Sequence, residues 1–426
     1  MIRFLKEEWL SLAIVLALAL GMQAIEYYGW LAGPEGKLMD RLLSAESGMA
    51  AESPILLVEI DDEAYSKCFQ ETSPMNPQAV AGLVAGIASD PKPWVVGVDI
   101  LTDSEIHKDE YRVLESTLRT LRPKIVWISG TETSKYEVAP FWRWLSGAQD
   151  ELVVKPTPVL GFAPGELAER PKLEWGLPVY PRDEDSGVRR FTREIQLSAD
   201  PEHSSMREPH PSWARIVAGE FCHSGAKCND ASGEEVLVSY SAPAPQFFRM
   251  LELFTCSAPG QVAPGGPKWA EFVTRAQRRI VLLGGTFRNS GDFHETPIGR
   301  KPGLLINAYS VQAELDGSGI HEARRPVALL FDFAVGVIIV LLLPAMEKII
   351  AWLPRGHPWR ERLENNRIRW TMAGSAMVVI AAILFTWVLF GRGYLLSFLG
   401  VALGAMAHQI VEVWKLNPAL RPSHHE

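Results

Sequence analysis

The chain has 426 residues with 42 Lys and Arg against 50 Asp and Glu, a net charge of −8. That balance offers no basic face for nucleic acid, and the length exceeds a single small core. A mean hydropathy of +0.03 beside 22% charged residues is an average over two solvents, and it predicts an integral membrane protein carrying a large water-soluble domain.

Residues 1–9 are a short charged start. Residues 10–31 are the first of four stretches long and apolar enough to cross a bilayer, which takes about 20 helical residues. The others are 328–352, 370–390 and 394–414. The first stretch also has the outline of a cleaved signal peptide. Trp9 on one side and Tyr27, Tyr28 and Trp30 on the other bracket it like two interfacial belts, which favours an uncleaved anchor.

Short β-branched runs alternate with helical patterns through the following domain, as in α/β layers. Strands are expected at ILLVEI from Ile55, WVVGVDI from Trp94, KIVWIS from Lys124, EVLVSY from Glu235 and RIVLLGG from Arg279. Several are continuously apolar, as strands covered on both faces are, so the expected core is a mostly parallel central sheet. Helices are expected from Pro77, Lys108, Pro211 and Pro302, the prolines standing where a helix start has no use for an N–H. Residues 153–181 are proline-rich and poorly periodic, and GTETS at 130–134 reads as a loop.

After the second span, the linker 353–369 with its flank carries Lys348, Arg355, Arg360, Arg362, Arg367 and Arg369, whereas the turn before the last span holds only Arg392. Short basic loops stay inside. The linker, both termini and the tail 415–426 are therefore expected in the cytoplasm, and the large domain outside. Within the linker, WRERLENNRIRW from Trp359 is a candidate surface helix, facing either a partner or anionic lipid.

Cys68, Cys222, Cys228 and Cys256 all fall in the outer domain, where an oxidising compartment favours disulfides. CHSGAKC, 222–228, reads as a loop closed by one bridge, leaving Cys68 and Cys256 to pair. A metal site recruiting Cys222, His223 and Cys228, or unpaired burial, are the alternatives.

Gly284 and Gly285 end a strand without the Lys and hydroxyl of a Walker loop, and no hydrolase, zincin or kinase signature occurs. Asp292 and His294 stand two apart, on one face of an extended segment. Asp61, Asp62 and Asp99 end the first two strands, where open α/β sheets collect ligands. These acids fit helix capping, a ligand site, or part of a metal shell, which wants three protein ligands. Asp332, His408 and Glu412 lie near span ends. Gly400 with Gly404, and Ala13, Ala17 and Gly21, place small residues on helix faces suited to close approach, within a four-helix bundle or in a homodimer.

Four stretches resemble the second class of CHASE domain: PILLVEIDDEAY from Pro54, VVGVDILTD from Val95, DEDSGVRRFTREI from Asp183, and RRIVLLGGTFRNSGDFHETPIGRKPGLLINA from Arg278. The likeness covers 38–320 and extends to one span before and three after. It implies a periplasmic or extracellular sensory domain whose ligand is generally unidentified, and it does not imply an enzyme. The expected protein is a receptor subunit of a bacterial inner membrane, taking a small ligand and with no metal or cofactor, the alternatives being an envelope enzyme using Asp61, Asp99, Asp292 and His294, or a scaffold protein of an envelope complex. The candidate ligand-binding residues are Asp61, Asp62, Asp99, Thr286, Asp292, His294 and Thr296. Two positions depart from the family pattern: SPMNPQ from Ser73 replaces a Trp-Pro-Trp-x-Arg motif, and Asn307 stands where a His usually precedes the Ala. Members of the family usually continue into a cyclase, kinase or peptidase. Residues 415–426 are expected to hold no such domain, so output is expected through a separate cytoplasmic or membrane effector.

Overall fold

The computed structural model describes residues 13–395, apart from 29–31, 45–51, 147–150, 167–172, 201–206, 229–234, 318–320 and scattered single positions and pairs. The chain divides into two compact units, one of 32–138 with 150–320, the other of 1–31, 139–149 and 321–426.

The first unit is built on six strands: β1 Ile55–Ile60, β2 Val95–Asp99, β3 Lys124–Ile128, β4 Leu173–Gly176, β5 Gln246–Arg249 and β6 Ile280–Gly285. They lie in the order β5-β1-β6-β2-β3-β4, and every pairing is parallel. Parallel strands need crossovers: α1 Asp62–Phe69 and α2 Pro77–Ser89 lie between β1 and β2, α3 Lys108–Leu118 between β2 and β3, α4 Trp213–His223 between β4 and β5 and α5 Trp269–Ala276 between β5 and β6, while α6 Gly303–Asp316 follows β6. Alternation along each strand sorts side chains to two faces. Leu56, Val58, Ile60, Val96, Val98, Val281 and Leu283 form one core with Phe69, Leu83, Val84, Tyr111 and Phe272. The opposite face, with Ile55, Leu57 and Leu282, lies under α4 and α6. Helix α6 is buried from Gly303 to Leu315, so it is the middle of a layer, with neighbours all round.

Four of the five expected strand runs enter this sheet. The fifth, from Glu235, instead forms Glu235–Leu237 and pairs antiparallel with Arg190–Thr192. Residues 153–181 are not simply a loop: they carry part of Glu151–Pro156 and all of β4. The GTETS segment enters strand Thr131–Glu137, whose pairing with Glu151–Pro156, followed by Glu194–Leu197 and Glu208–Pro211, makes a second, mixed sheet.

Both expected disulfides are present. Cys68 joins Cys256, tying α1 to the hairpin strand Phe254–Ala258, and Cys222 joins Cys228 at the end of α4. The motif around Asp183 is fixed by Arg189, which bonds both carboxylate oxygens of Asp40 (2.7 and 3.1 Å) and Oδ2 of Asp183 at 2.9 Å.

In the second unit, α7 Arg325–Trp352 and α9 Arg367–Phe390 contain the two stretches among the described residues that are long and apolar enough to cross a membrane. They pack through Phe331, Val335, Ile339, Val378 and Ala382. Between them lies the short linker helix α8 Pro358–Asn365, with no buried residue. The first expected span is helical over Val15–Ile25. Tyr394–Leu395, expected to open the last span, pairs as a strand with His321–Glu322; residues 396–426 lie outside those described, and the expected span 394–414 with them.

Candidate functional site

The carboxyl ends of four adjacent strands set one row of residues side by side. Arg249 of β5 pairs with Glu59 of β1, Glu59 with Gly284 of β6, and Gly284 with Asp99 of β2. The row occupies the face covered by α6. Gly284 matters because it has no side chain: a Cβ there would meet Asp99 Cβ at 2.9 Å and Leu304 Cδ1 at 3.0 Å. Gly284 thus leaves the room that Asp99 and Leu304 occupy, while Gly285 leaves room for the Phe287 ring.

Around Asp99 the partners come from distant parts of the chain. Asn307 of α6 donates from Nδ2 to Asp99 Oδ2 at 2.9 Å. The Tyr180 hydroxyl donates to Asn307 Oδ1, which fixes the orientation of the amide. Burial, with the nearby charge of Asp292 added, pushes Asp99 up to about 7 against the opposing Asn307 bond. Burial and the same carboxylates hold the Tyr180 phenol well above its ordinary value, so it stays a donor.

Asp292 lies on the loop between β6 and α6. Its Oδ1 is 2.8 Å from His294 Nε2, and its backbone carbonyl accepts from Gly303 N at 2.9 Å. A Cβ on Gly303 would fall on the Asp292 carboxylate, so the acid sits directly against the first turn of α6, where the helix dipole favours negative charge.

At the other end of the row, Thr286 Oγ1 donates to Glu59 Oε2 at 3.3 Å, and Arg249 Nε stands 3.8 Å from Glu59 and 3.9 Å from Asp61. Burial pushes the Glu59 carboxyl up; Thr286 and Arg249 oppose this while Asp61 adds to it. Asp61 itself caps α1, accepting from Ala64 N at 2.9 Å. Asp62 accepts from Arg288 N at 2.8 Å and anchors the turn after β6. Thr296 closes a tight turn, donating to Gly299 O and accepting from Ile298 N.

Of the seven residues singled out in the sequence, Asp99, Asp292 and His294 converge around one group. Thr286 and Asp61 meet at Glu59, while Asp62 and Thr296 hold loops. Tyr180, Glu59 and Arg249 belong to the row or its roof and were not anticipated. The one local signal was Glu59, an acid inside the apolar run ILLVEI. Among the described residues, no three His, Cys, Asp or Glu side chains are placed to hold a metal ion.

An all-parallel central sheet with helices on both faces, and polar groups gathered at its carboxyl ends, defines this unit as an α/β fold. The profile of the CHASE2 domain matches residues 10–352, and the chain belongs to that family, whose members are extracellular sensory domains. No curated protein and no solved structure matches the chain.

Proposed function

We propose that the chain is a multi-pass receptor subunit of a bacterial inner membrane, whose outer domain registers a stimulus at the Asp99 group and passes its state to a separate effector. One observation carries this reading. Helix α6 supplies Asn307 to the site and abuts Asp292 at its first turn; it ends at Asp316, and the apolar helix α7 begins at Arg325. A change at the site acts on the element that leads into a span.

The first apolar stretch is read as a retained anchor. In support, Gln23 Nε2 donates to Asp332 Oδ2 of α7 at 3.3 Å, both residues being buried, and an interhelical bond of this kind holds spans together. With 370–390 and 394–414 the reading has four spans, both termini cytoplasmic, and 38–320 outside. It is non-catalytic, which is supported by the division of the acids between capping and site roles.

The test is cross-linking in cells from positions near Trp359 and Arg362 of the linker. Under this reading they capture a cytoplasmic or membrane protein, and Asn307→Ala changes the yield while the outer domain stays folded. Capture of lipid alone would sink the separate effector; an Asn307→Ala protein that captures normally would remove the site from the signal.

A further inference from the structure

Asp99 and Asp292 both stand against the start of α6, at Asn307 and at Gly303 one turn before it, and among the described residues neither has an ion pair to Lys or Arg. Asp99 is the buried one of the two, whereas the Asp292 side chain is 43% exposed; with a carboxylate beside it, the buried acid is the one that keeps a proton. The surroundings of Asp99 offer no other neutralising group. From α6 come Asn307, an amide, and Ser310, a hydroxyl in the same polar group. From β6 comes Gly284, with no side chain. From the segment after β4 comes Tyr180, a phenol that does not supply positive charge. Asp292 faces the His294 ring, Asp99 and Tyr180. Among the described residues the groups here able to carry positive charge are His294, against Asp292, and Lys301, paired with His294 across the hairpin that leads into α6.

We infer that the stimulus read at this site is the proton itself: Asp99 and Asp292, with His294 beside them, form a proton-binding couple whose occupancy sets the position of the first turn of α6. The inference rests on the sensor reading above and gives its ligand. With one proton held by Asp99, the couple carries a single negative charge, which Asp292 shares with His294 and the α6 N-terminus. When that proton leaves to water, two carboxylates confront each other under Tyr180. Relief comes from moving Asp292 away. Because Asp292 is bonded to Gly303 through its carbonyl and occupies the space of the missing Gly303 side chain, moving it moves the start of α6. Burial raises Asp99 to about 7, which puts the change in the range an outer surface meets.

The experiment compares amide hydrogen exchange of residues 303–310 in full-length protein and Asp99→Asn, held in lipid nanodiscs, at matched pH values from 5 to 8. The variant is permanently neutral at that position. At pH 5 the two should exchange alike, and at pH 8 the unmodified protein should exchange faster by about tenfold, the factor of one pKa unit. Identical exchange of the two proteins at every pH overturns the inference. If Asp99→Asn does not fold, Asp292→Asn takes its place: losing the neighbouring charge should lower the midpoint of the exchange transition by about one pH unit, and an unmoved midpoint is equally fatal. Failure of the sensor reading looks different. There the exchange transition is present and follows Asp99, but cross-linking from the linker does not change with outer pH or any other stimulus.

Discussion

Arg193 and Glu314 meet through two hydrogen bonds, Nε to Oε1 at 2.6 Å and Nη2 to Oε2 at 3.0 Å, with only 8% and 4% of their side chains exposed. Glu314 is on the last turn of α6 and Arg193 lies near the end of the motif that begins at Asp183. The pair fixes the far end of the helix whose beginning touches Asp292. Breaking a buried pair by removing one partner leaves an uncompensated charge and costs about 3 to 5 kcal/mol. Glu314→Gln should therefore lower the unfolding temperature of the outer domain sharply. Arg193→Met with Glu314→Leu should recover most of the loss, since apolar residues of similar volume need no partner. A double variant no better than the single one would mean that the pair holds more than its own charges.

The Asp99 carboxyl makes stability depend on pH with a definite sign. Its ordinary value is about 3.9, and in the fold it is raised to about 7. Between these values the folded protein keeps a proton that the unfolded chain has lost. The contribution is fully present below about pH 4 and is lost as pH rises through about 7. Denaturation midpoints of the intact protein should fall across this window more steeply than those of Asp99→Asn. Parallel curves would show that Asp99 titrates alike in both states.

Much of this was legible in the sequence, because its signals are local. Ile55–Ile60, Val95–Asp99 and Ile280–Gly285 are mostly apolar runs interrupted only by Glu59, Gly97 and the acid or glycines at their ends, as strands covered on both faces are. Asp99, Asp292 and His294 could be picked out because strand ends and a two-residue spacing are visible in a string of letters. Tyr180 could not: it reaches the site from the proline-rich stretch, and no local pattern says where such a segment travels. β5 was hidden for another reason. Gln246–Arg249 is short, with Phe247 exposed and Arg249 at its end, so it lacks the apolar continuity of a central strand and takes the sheet edge. Asn307 was visible only as a departure from the family's His. Its amide bridges Tyr180 and Asp99, a role that depends on tertiary partners.

The two disulfides should differ in what they contribute. Cys68 and Cys256 are 188 residues apart and Cys222 and Cys228 only 6. In the chain-entropy account a longer closed loop removes more freedom from the unfolded chain, roughly 5 kcal/mol for the first and roughly 2 kcal/mol for the second. Cys68 is also fully buried, on α1. Replacing Cys68 and Cys256 by Ala should thus lower the thermal midpoint well beyond the Cys222 and Cys228 replacement. Equal losses would place the stabilisation in the folded packing around each bridge.

The orientation of the chain rests on charge and is open to a direct check. Lys348, Arg355, Arg360, Arg362, Arg367 and Arg369 crowd the segment joining α7 to α9, and two acids there are already used: Arg360 bonds Glu364 at 2.9 Å and Arg367 bonds Glu347 at 3.1 Å. The remaining basic excess favours the cytoplasmic side, where it also meets anionic lipid. Arg324 and Arg325, ahead of α7, oppose this, but they adjoin a large folded domain, and such domains cross largely regardless of flanking charge. A reporter active only outside the cytoplasm should therefore work when fused after Gly319 and fail after Arg360. Intact protein recovered from membranes should also retain Gln23, the partner of Asp332. The reverse reporter pattern would put the cysteines in a reducing compartment and overturn both the orientation and the sensing of an outer stimulus. Loss of the N-terminal segment with normal membrane retention would remove only the first span.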